Sequence, residues 1–381
     1  MAAPQEIRVP LFVPDLGEAE RQAVLDCLNS GWIAMGPRCE QLERLFEKRL
    51  GVKHAITLSS CTAALHLANI LVDVKAGDEV IVPSLTFAAT ANAVAFCGAK
   101  PVFVDVASLD DWTISPADIE HCITPKTRAV VVMHYGGFPC DMRAIMAIAQ
   151  SRGIPVIEDA CHGLGGSLDN RAMGSIGALG CFSFYSNKVM TTGEGGLLVT
   201  DDSALAERAR RLRSHGMTAN AIDRIRGAQG YDITELGHNY RLDDMRAAIG
   251  VAQEGRLDAS LAQRRRLVER YRGNLASMKG IRVPRHGNRG EPAHYIFPVL
   301  VDDGVNRDRV RQEMNGRGVQ TSIHYQPVHL FSHYRAADKT LPLTESIASR
   351  AISLPLYPSM GTDTVDLVCS VLADSIASAY A

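Results

Sequence analysis

The sequence predicts an α/β protein with a mostly parallel β-sheet, followed by a smaller α+β domain. Short runs that are almost continuous in Val and Ile recur through the first half of the chain. Such runs are typical of strands buried on both faces of a sheet. Segments with helical periodicity separate these runs, which favours parallel strands joined through helices. After about residue 280 this regular alternation ends, which indicates a second domain.

Strand and helix alternate along the first part of the chain. The first helix has Leu16, Ala19 and Ala23 on one face and ends at Gly31, and a later helix is capped by Ser115. The predicted helices are 15–29, 39–50, 61–68, 87–96, 115–122 and 142–152, and the predicted strands are 54–60, 79–83, 101–106, 129–133 and 155–158.

The rest of the chain completes the sheet and then forms the smaller domain. Two apolar runs, 181–185 and 197–200, continue the strand pattern, and helices follow at 204–214, 245–253 and 257–275. Beyond these, strands are predicted at 281–284, 295–301 and 319–325 and helices at 306–317, 345–351 and 363–378. The predicted domains are therefore a large domain, 1–255, and a small domain with antiparallel strands, 256–381.

Composition excludes several classes of function. The chain has 381 residues, 46% of them hydrophobic, and a net charge of −2, so a nucleic-acid or anionic-membrane partner is not expected. No apolar run is long enough to span a membrane, and the first residues lack a signal-peptide pattern. The nine cysteines form no C-x-x-C pair, which predicts free thiols, no metal site and a cytoplasmic location.

One lysine stands out in the stretch 181–196. Lys188 follows a strand-like run, precedes a glycine-rich turn, and is the only lysine between Lys126 and Lys279, an interval rich in arginine. Unlike arginine, lysine can lose its proton and attack a carbonyl to form a Schiff base. A solvated surface lysine is the ordinary alternative.

Three further features fall at predicted strand ends. The hydroxyl-rich turn Ser60-Cys61-Thr62 starts a helix, where free N–H groups attract an anion; Phe87 offers an aromatic face, and Asp159 ends a buried strand. A plain helix cap, a core aromatic and a turn residue would explain them separately. Together with Lys188 they supply what pyridoxal 5′-phosphate (PLP) requires, namely a phosphate site, a ring contact, a partner for the pyridine nitrogen and an amine.

The chain resembles the DegT/DnrJ/EryC1/StrS family of PLP-dependent aminotransferases from about residue 15 to residue 357. The resemblance implies the fold type I architecture, in which a mostly parallel seven-stranded sheet lies between helices and a smaller C-terminal α+β domain follows. The stretches that match the family are 31–37, 59–66, 77–90, 157–162, 182–188, 193–196, 237–241 and 323–329.

The resemblance implies a catalytic role for Lys188, as the Schiff-base lysine, for Asp159, as the partner of the pyridine nitrogen, and for His162, beside the ring. Asn239 resembles a residue that reaches the phosphate from the neighbouring subunit, which implies a homodimer with shared active sites. The implied cofactor contacts are Cys61, Thr62, Phe87, Asp159, His162, Ser183, Lys188 and Asn239, and the implied substrate contacts are Tyr185, His324, Tyr325 and His329.

The implied reaction transfers an amino group from L-glutamate to a nucleotide-linked 3- or 4-keto-6-deoxyhexose, with pyridoxamine 5′-phosphate (PMP) as the intermediate cofactor form. Such reactions belong to antibiotic or polysaccharide biosynthesis. A glutamine-dependent aminotransferase for a cyclitol ketone of the scyllo-inosose type stays open, as does a non-catalytic regulator on the same scaffold. A PLP sugar dehydratase would have histidine in place of Lys188. Cys61 stands where the family more often has glycine.

Overall fold

The computed structural model describes residues 7–219, 227, 229–336 and 339–379. The α-helices are α1 Glu18–Ser30, α2 Pro37–Leu50, α3 Cys61–Leu71, α4 Ala88–Phe96, α5 Pro116–Cys122, α6 Met142–Ser151, α7 Ser203–Arg213, α8 Asp244–Glu254, α9 Leu257–Leu275, α10 Arg307–Gly316, α11 Pro342–Arg350 and α12 Thr362–Ala379. The strands are β1 His54–Leu58, β2 Glu79–Pro83, β3 Lys100–Val104, β4 Thr127–Met133, β5 Val156–Asp159, β6 Ser167–Leu168, β7 Arg171–Ala172, β8 Leu179–Ser183, β9 Gly196–Thr200, β10 Ile281–Arg282, β11 Phe297–Val301 and β12 Ala351–Leu354.

Seven strands form the central sheet in the order β1-β9-β8-β5-β4-β2-β3. Strand β9 runs antiparallel to its neighbours β1 and β8, and every other pair in this sheet is parallel. The predicted α/β class with a mostly parallel seven-stranded sheet is confirmed. The reversal at β9 places the start of this strand, Gly196, beside the end of β1.

The central sheet is buried on both faces. In β9 the side chain of Leu198 belongs to a core shared with α3, α4 and α7, whereas Leu197 and Val199 belong to a core shared with Phe46 and Leu261. Successive side chains of a strand point to opposite faces, so both faces are covered by helices. This double burial explains why these strands are almost entirely apolar in sequence.

A second, antiparallel sheet has the order β10-β11-β12 and packs with α9, α10 and α12. Its core also includes Val9, which forms a bridge with Val319. The N-terminal segment therefore packs against the C-terminal part of the chain. The boundary between residues 255 and 256 stays a prediction.

The predicted strand at 319–325 is wrong. This segment makes only isolated bridges, Val9 with Val319 and Ser322 with Ser353, and then turns into the candidate site. The third strand of the small sheet is instead β12, Ala351–Leu354. That strand follows α11 without a break, so the helical pattern of the preceding residues hid it.

Two further features are the hydrophobicity of the helices and the state of the cysteines. In the part that the structure describes, no helix is both long enough and apolar enough to cross a membrane. All nine cysteines are free thiols, and most of them are buried.

Candidate active site

An open cavity of about 410 Å³ lies at the carboxyl ends of the parallel strands. The segments that follow β1, β2, β5 and β8 all contribute to it, as expected for ligand sites in sheets of this kind. The predicted site residues that line this cavity are Cys61, Thr62, Phe87, Asp159, Ser183, Tyr185, Lys188, His324 and Tyr325.

Lys188 lies in the turn after β8, where its backbone N–H donates to the carbonyl of Tyr185 at 3.0 Å. Its Nζ lies 4.3 Å from the centroid of the Tyr295 ring, the position of a cation over an aromatic face. Burial opposes protonation of the amine, but the acidic groups around it, Tyr295 first and Asp159 among them, raise the pKa of Lys188 overall. The amine therefore holds a proton at neutral pH in this structure.

Asp159 is the last residue of β5, and its carboxylate is held on both oxygens. Oδ2 accepts a hydrogen bond of 2.8 Å from the Thr90 hydroxyl, and Oδ1 accepts one of 3.2 Å from the Cys161 backbone N–H. The Thr90 hydroxyl is in turn 2.8 Å from that of Thr86. Asp159 is 2% exposed, so these bonds set the direction in which it faces the cavity.

The turn between β1 and α3 begins a helix with free backbone N–H groups. The hydroxyl of Ser60 caps α3 by accepting from the N–H of Ala63 at 3.1 Å. The N–H groups of Cys61 and Thr62 have no partner among the described residues, as is usual in the first turn of a helix. The hydrogen bond with the Cys161 thiol, followed by burial, raises the pKa of Cys61, so its sulfur is neutral and does not repel an anion.

Glycine is required at the start of β9. A Cβ built on Gly196 would lie 2.3 Å from the carbonyl carbon of Ser60 and 2.5 Å from the nitrogen of Cys61. The close approach of these backbones shapes the turn that offers the N–H groups of Cys61 and Thr62. Packing at this turn thus explains Gly196, whereas Gly193 has a φ of +81° and nothing within 4 Å of a built Cβ, so its backbone conformation is what favours glycine.

The opposite wall of the cavity comes from Tyr295, His324 and Tyr325. The hydroxyl of Tyr135 donates to the carbonyl of His324, and the His324 Nδ1 is 2.8 Å from the Ser353 hydroxyl. Burial, with a contribution from the Lys188 ammonium, lowers the pKa of His324 to about 4, so its ring is neutral.

His162 lies behind this wall and not on the cavity surface. Its Nδ1 accepts from the N–H of Gly136 at 3.2 Å, and its Nε2 is 2.9 Å from the Tyr325 hydroxyl. Burial, helped by the charge of Lys188, lowers the pKa of His162 well below its usual value, so the ring is neutral with its proton on Nε2. That N–H donates to the Tyr325 oxygen, which leaves the phenolic proton of Tyr325 to face the cavity.

Two other predicted residues also lie outside the cavity lining. His329 is buried between the Ser84 hydroxyl, at 2.6 Å, and the Glu345 carboxylate, at 3.2 Å. Asn239 is exposed and bridges to Ser214.

Sequence reasoning missed Thr90, Cys161 and Tyr295. Thr90 lies one helical turn after Phe87, on the side of α4 that faces the sheet, so helical spacing was an available signal. Tyr295 gave no local signal, because its position depends on contacts between distant segments.

The residues present fit PLP. Two unpartnered N–H groups at a helix start suit its phosphate, the oriented Asp159 carboxylate suits the pyridine nitrogen, and Lys188 in the same cavity suits the aldehyde. The fold and this site define a PLP-dependent enzyme of fold type I.

Comparison with known proteins identifies the family. The model of the DegT/DnrJ/EryC1/StrS aminotransferase family matches residues 14–373, and the chain belongs to this family. It is 38% identical to the spore coat polysaccharide biosynthesis protein SpsC of Bacillus subtilis, over 97% of this chain and 98% of that protein.

Solved structures agree with this assignment. The aminotransferase TlmJ of Streptoalloteichus hindustanus has a TM-score of 0.91 and 36% identity, with 97% of this chain and 99% of TlmJ covered. The putative sugar aminotransferase Spr1654 of Streptococcus pneumoniae, at 27% identity, has been solved in a PMP form and in a PLP form. The PMP form has a TM-score of 0.92, with 98% of this chain and 100% of Spr1654 covered. The PLP form has a TM-score of 0.91, with 97% of this chain and 99% of Spr1654 covered. PLP is therefore the cofactor, and the enzyme is an aminotransferase.

Proposed function

We propose that the enzyme transfers the amino group of L-glutamate to the ketone of a nucleotide-linked keto-sugar, a 3- or 4-keto-6-deoxyhexose. The observation that supports it most strongly is that Lys188, Asp159 and the free N–H groups of Cys61 and Thr62 line one cavity. A polysaccharide biosynthesis relative, SpsC, supports a sugar as the acceptor.

Each residue of the cavity has a proposed task. Lys188 holds the cofactor covalently, and Cys61, Thr62 and Ser183 bind its phosphate. Asp159 keeps a proton on the pyridine nitrogen, and Phe87 covers the ring. His162 acts on the site through Tyr325, whose hydroxyl it contacts at 2.9 Å.

When bound, PLP supplies the aldehyde that accepts the amino group and the ring that stabilises negative charge at the α-carbon of the donor. In the first half-reaction the amine of Lys188 would take the proton from that α-carbon and deliver it to the cofactor carbon that holds the transferred nitrogen. Water would then release 2-oxoglutarate, and the amino group would stay on the cofactor. In the second half-reaction Lys188 delivers a proton to the former carbonyl carbon of the sugar. The negative charge of Asp159 stabilises the protonated ring, which is the main electrostatic contribution.

The mouth of the cavity suits a large substrate. Phe87 and Tyr185 are 59% and 45% exposed although they line it, so apolar surface is open to a ligand or to another subunit. We propose that Tyr185, His324 and Tyr325 contact the sugar nucleotide, and that His329 supports that segment from behind.

A homodimer in the cytoplasm completes the proposal. Two short segments of the chain carry several exposed apolar side chains. The first segment has Leu25, Leu28 and Ile33, and the second has Ile233 and Leu236. Large exposed apolar patches are typical of subunit interfaces. Asn239, close to the second segment and outside its own cavity, is proposed to reach the cofactor phosphate of the neighbouring subunit.

The decisive experiment replaces Lys188 with Ala. We expect loss of turnover and loss of covalent cofactor attachment, read by mass spectrometry after borohydride reduction, because no other lysine lines the cavity among the described residues. The control Lys279→Ala, at an exposed position, should keep both. Full activity of Lys188→Ala would overturn the proposal.

A substrate screen separates this reaction from the alternatives. Nucleotide-linked 3-keto and 4-keto sugars and scyllo-inosose are each offered with glutamate or glutamine, and 2-oxoglutarate or 2-oxoglutaramate is measured. Turnover of the cyclitol with glutamine alone would favour the cyclitol aminotransferase. A protein that shows no visible absorbance after PLP addition would favour the non-catalytic regulator, although Lys188, Asp159 and Thr62 are all present.

A further inference from the structure

A second cavity, of about 530 Å³ and open to solvent, shares no lining residue with the catalytic cavity. Three arginines line it: Arg272 of α9, and Arg285 and Arg289 in the segment after β10. His286 lines the same cavity. We call these four residues the arginine pocket.

The charges of two of these arginines are not compensated. Arg289 pairs with Asp111 at 2.6 Å and with Asp141 at 3.3 Å, so carboxylates neutralise its positive charge. Arg272, which is half-buried, and Arg285, which is exposed, have no carboxylate partner among the described residues. Burial and the nearby charge of Arg285 lower the pKa of Arg272. Two like charges held together in this way favour an anion between them.

His286 adds an unpartnered hydrogen-bond donor. The residue is 1% exposed, and its ring stacks on Phe138 with 3.7 Å between centroids. The Trp112 N–H donates to Nδ1 at 3.4 Å, so a neutral ring carries its proton on Nε2. That Nε2 is buried and has no partner among the described residues, a state that costs free energy unless a ligand accepts the bond.

We propose that the arginine pocket binds a phosphate group, held by Arg272 and Arg285 and by the Nε2–H of His286. Guanidinium groups bind phosphate oxygens through paired, charge-assisted hydrogen bonds. The phosphate comes either from inorganic phosphate or from a nucleotide. This site does not depend on the proposed reaction, since none of its residues lines the catalytic cavity.

The test is calorimetry on the PLP-loaded enzyme, in which the cofactor phosphate site is already filled. Inorganic phosphate is titrated in a phosphate-free buffer, with sodium chloride at matched ionic strength as the blank. We expect saturable binding of one phosphate per chain, weakened at least about tenfold in Arg285→Gln and in Arg272→Gln. The control is Arg282→Gln, which removes an exposed arginine paired with Asp110 at 3.5 Å and should change affinity less than about twofold.

A nucleoside diphosphate arm distinguishes the two sources. If the nucleoside diphosphate displaces phosphate, and its affinity falls in Arg285→Gln, the pocket binds a nucleotide phosphate. If the variants leave the affinity for the nucleoside diphosphate unchanged, the pocket binds inorganic phosphate. Heats no larger than those of chloride, or wild-type affinity in Arg285→Gln, would each overturn the proposal. Arg285 is exposed, so its variant should fold even if Arg272→Gln does not.

Discussion

The two walls of the catalytic cavity are built in different ways. The sheet wall, Cys61, Thr62, Asp159 and Lys188, comes from strand ends and a helix start of the central sheet. The loop wall, Tyr295, His324 and Tyr325, comes from irregular segments near the small sheet.

The difference lies in what holds each wall. The sheet wall takes its positions from the regular hydrogen bonding of parallel strands, which converge at one edge. The loop wall depends on single hydrogen bonds between distant segments, such as those from Tyr135 and Ser353 to His324. We therefore expect changes in the sheet wall to act on the chemistry, and changes in the loop wall to act on stability and substrate fit.

After Lys188→Ala, the largest effect is expected for Asp159→Asn. The amide cannot hold a proton on the pyridine nitrogen, so kcat should fall roughly 10²- to 10³-fold, the usual cost of losing one preorganised electrostatic group. Steady-state kinetics with saturating PLP measures this. The control Asp169→Asn removes an exposed carboxylate paired with Arg143 and should leave kcat unchanged. If kcat fell less than tenfold in Asp159→Asn, the sheet wall would not act on the chemistry more than the loop wall does.

The loop wall should be sensitive to acid. The pKa of His324 is about 4 in the folded protein, because burial and the Lys188 ammonium disfavour its charged form, whereas an unfolded histidine titrates near 6.5. Below about pH 6.5 the unfolded chain binds a proton that folded His324 does not, so stability falls as the pH decreases. Linkage gives a loss of about 2 kcal/mol at pH 5 from this residue.

Denaturant unfolding at pH 7 and pH 5 checks this. His324→Asn should show a smaller loss of unfolding free energy between the two pH values than wild type. His121→Asn, at an exposed position of α5, should match wild type. An unchanged difference in His324→Asn would mean that this wall does not contribute to acid sensitivity.

Gly196→Ala tests whether the shape of the sheet wall depends on close backbone packing. The new Cβ would lie within 2.5 Å of the Ser60–Cys61 backbone, so the turn that offers its N–H groups must move. Overpacking of this kind costs about 1–3 kcal/mol, and PLP affinity should fall by roughly tenfold. Gly273→Ala, in α9 with nothing within 4 Å of the new Cβ, should leave PLP affinity as it is.

The smallest effect is expected for Thr90→Val. The change keeps the volume but removes the hydrogen bond of 2.8 Å to the Asp159 carboxylate. A hydrogen bond to a charged group is worth about 1.5–3 kcal/mol, and because part of that free energy is lost before the chemical step as well, kcat should fall roughly fivefold. Thr86→Val, one hydroxyl further from Asp159, should have a smaller effect. Equal losses in both variants would show that Thr90 does not act through Asp159.

Much of the sheet wall was predictable from the sequence. Lys188, Asp159 and the Ser60–Thr62 turn could be placed at strand ends because apolar runs, helix starts and glycine turns are local patterns. The loop wall was harder to predict from the sequence. Its segment 319–325 has strand-like composition, yet it pairs only through isolated bridges and then turns into the cavity.

The sequence alone determined the fold class, the lysine and the acid, since each depends on residues close together in the chain. Tertiary structure decided which of them share a cavity, that Thr90 orients Asp159, and that His162 lies behind Tyr325. These relations join residues 69 and 163 positions apart. Contacts over such separations are selected by the packing of the whole core, and local periodicity does not specify them.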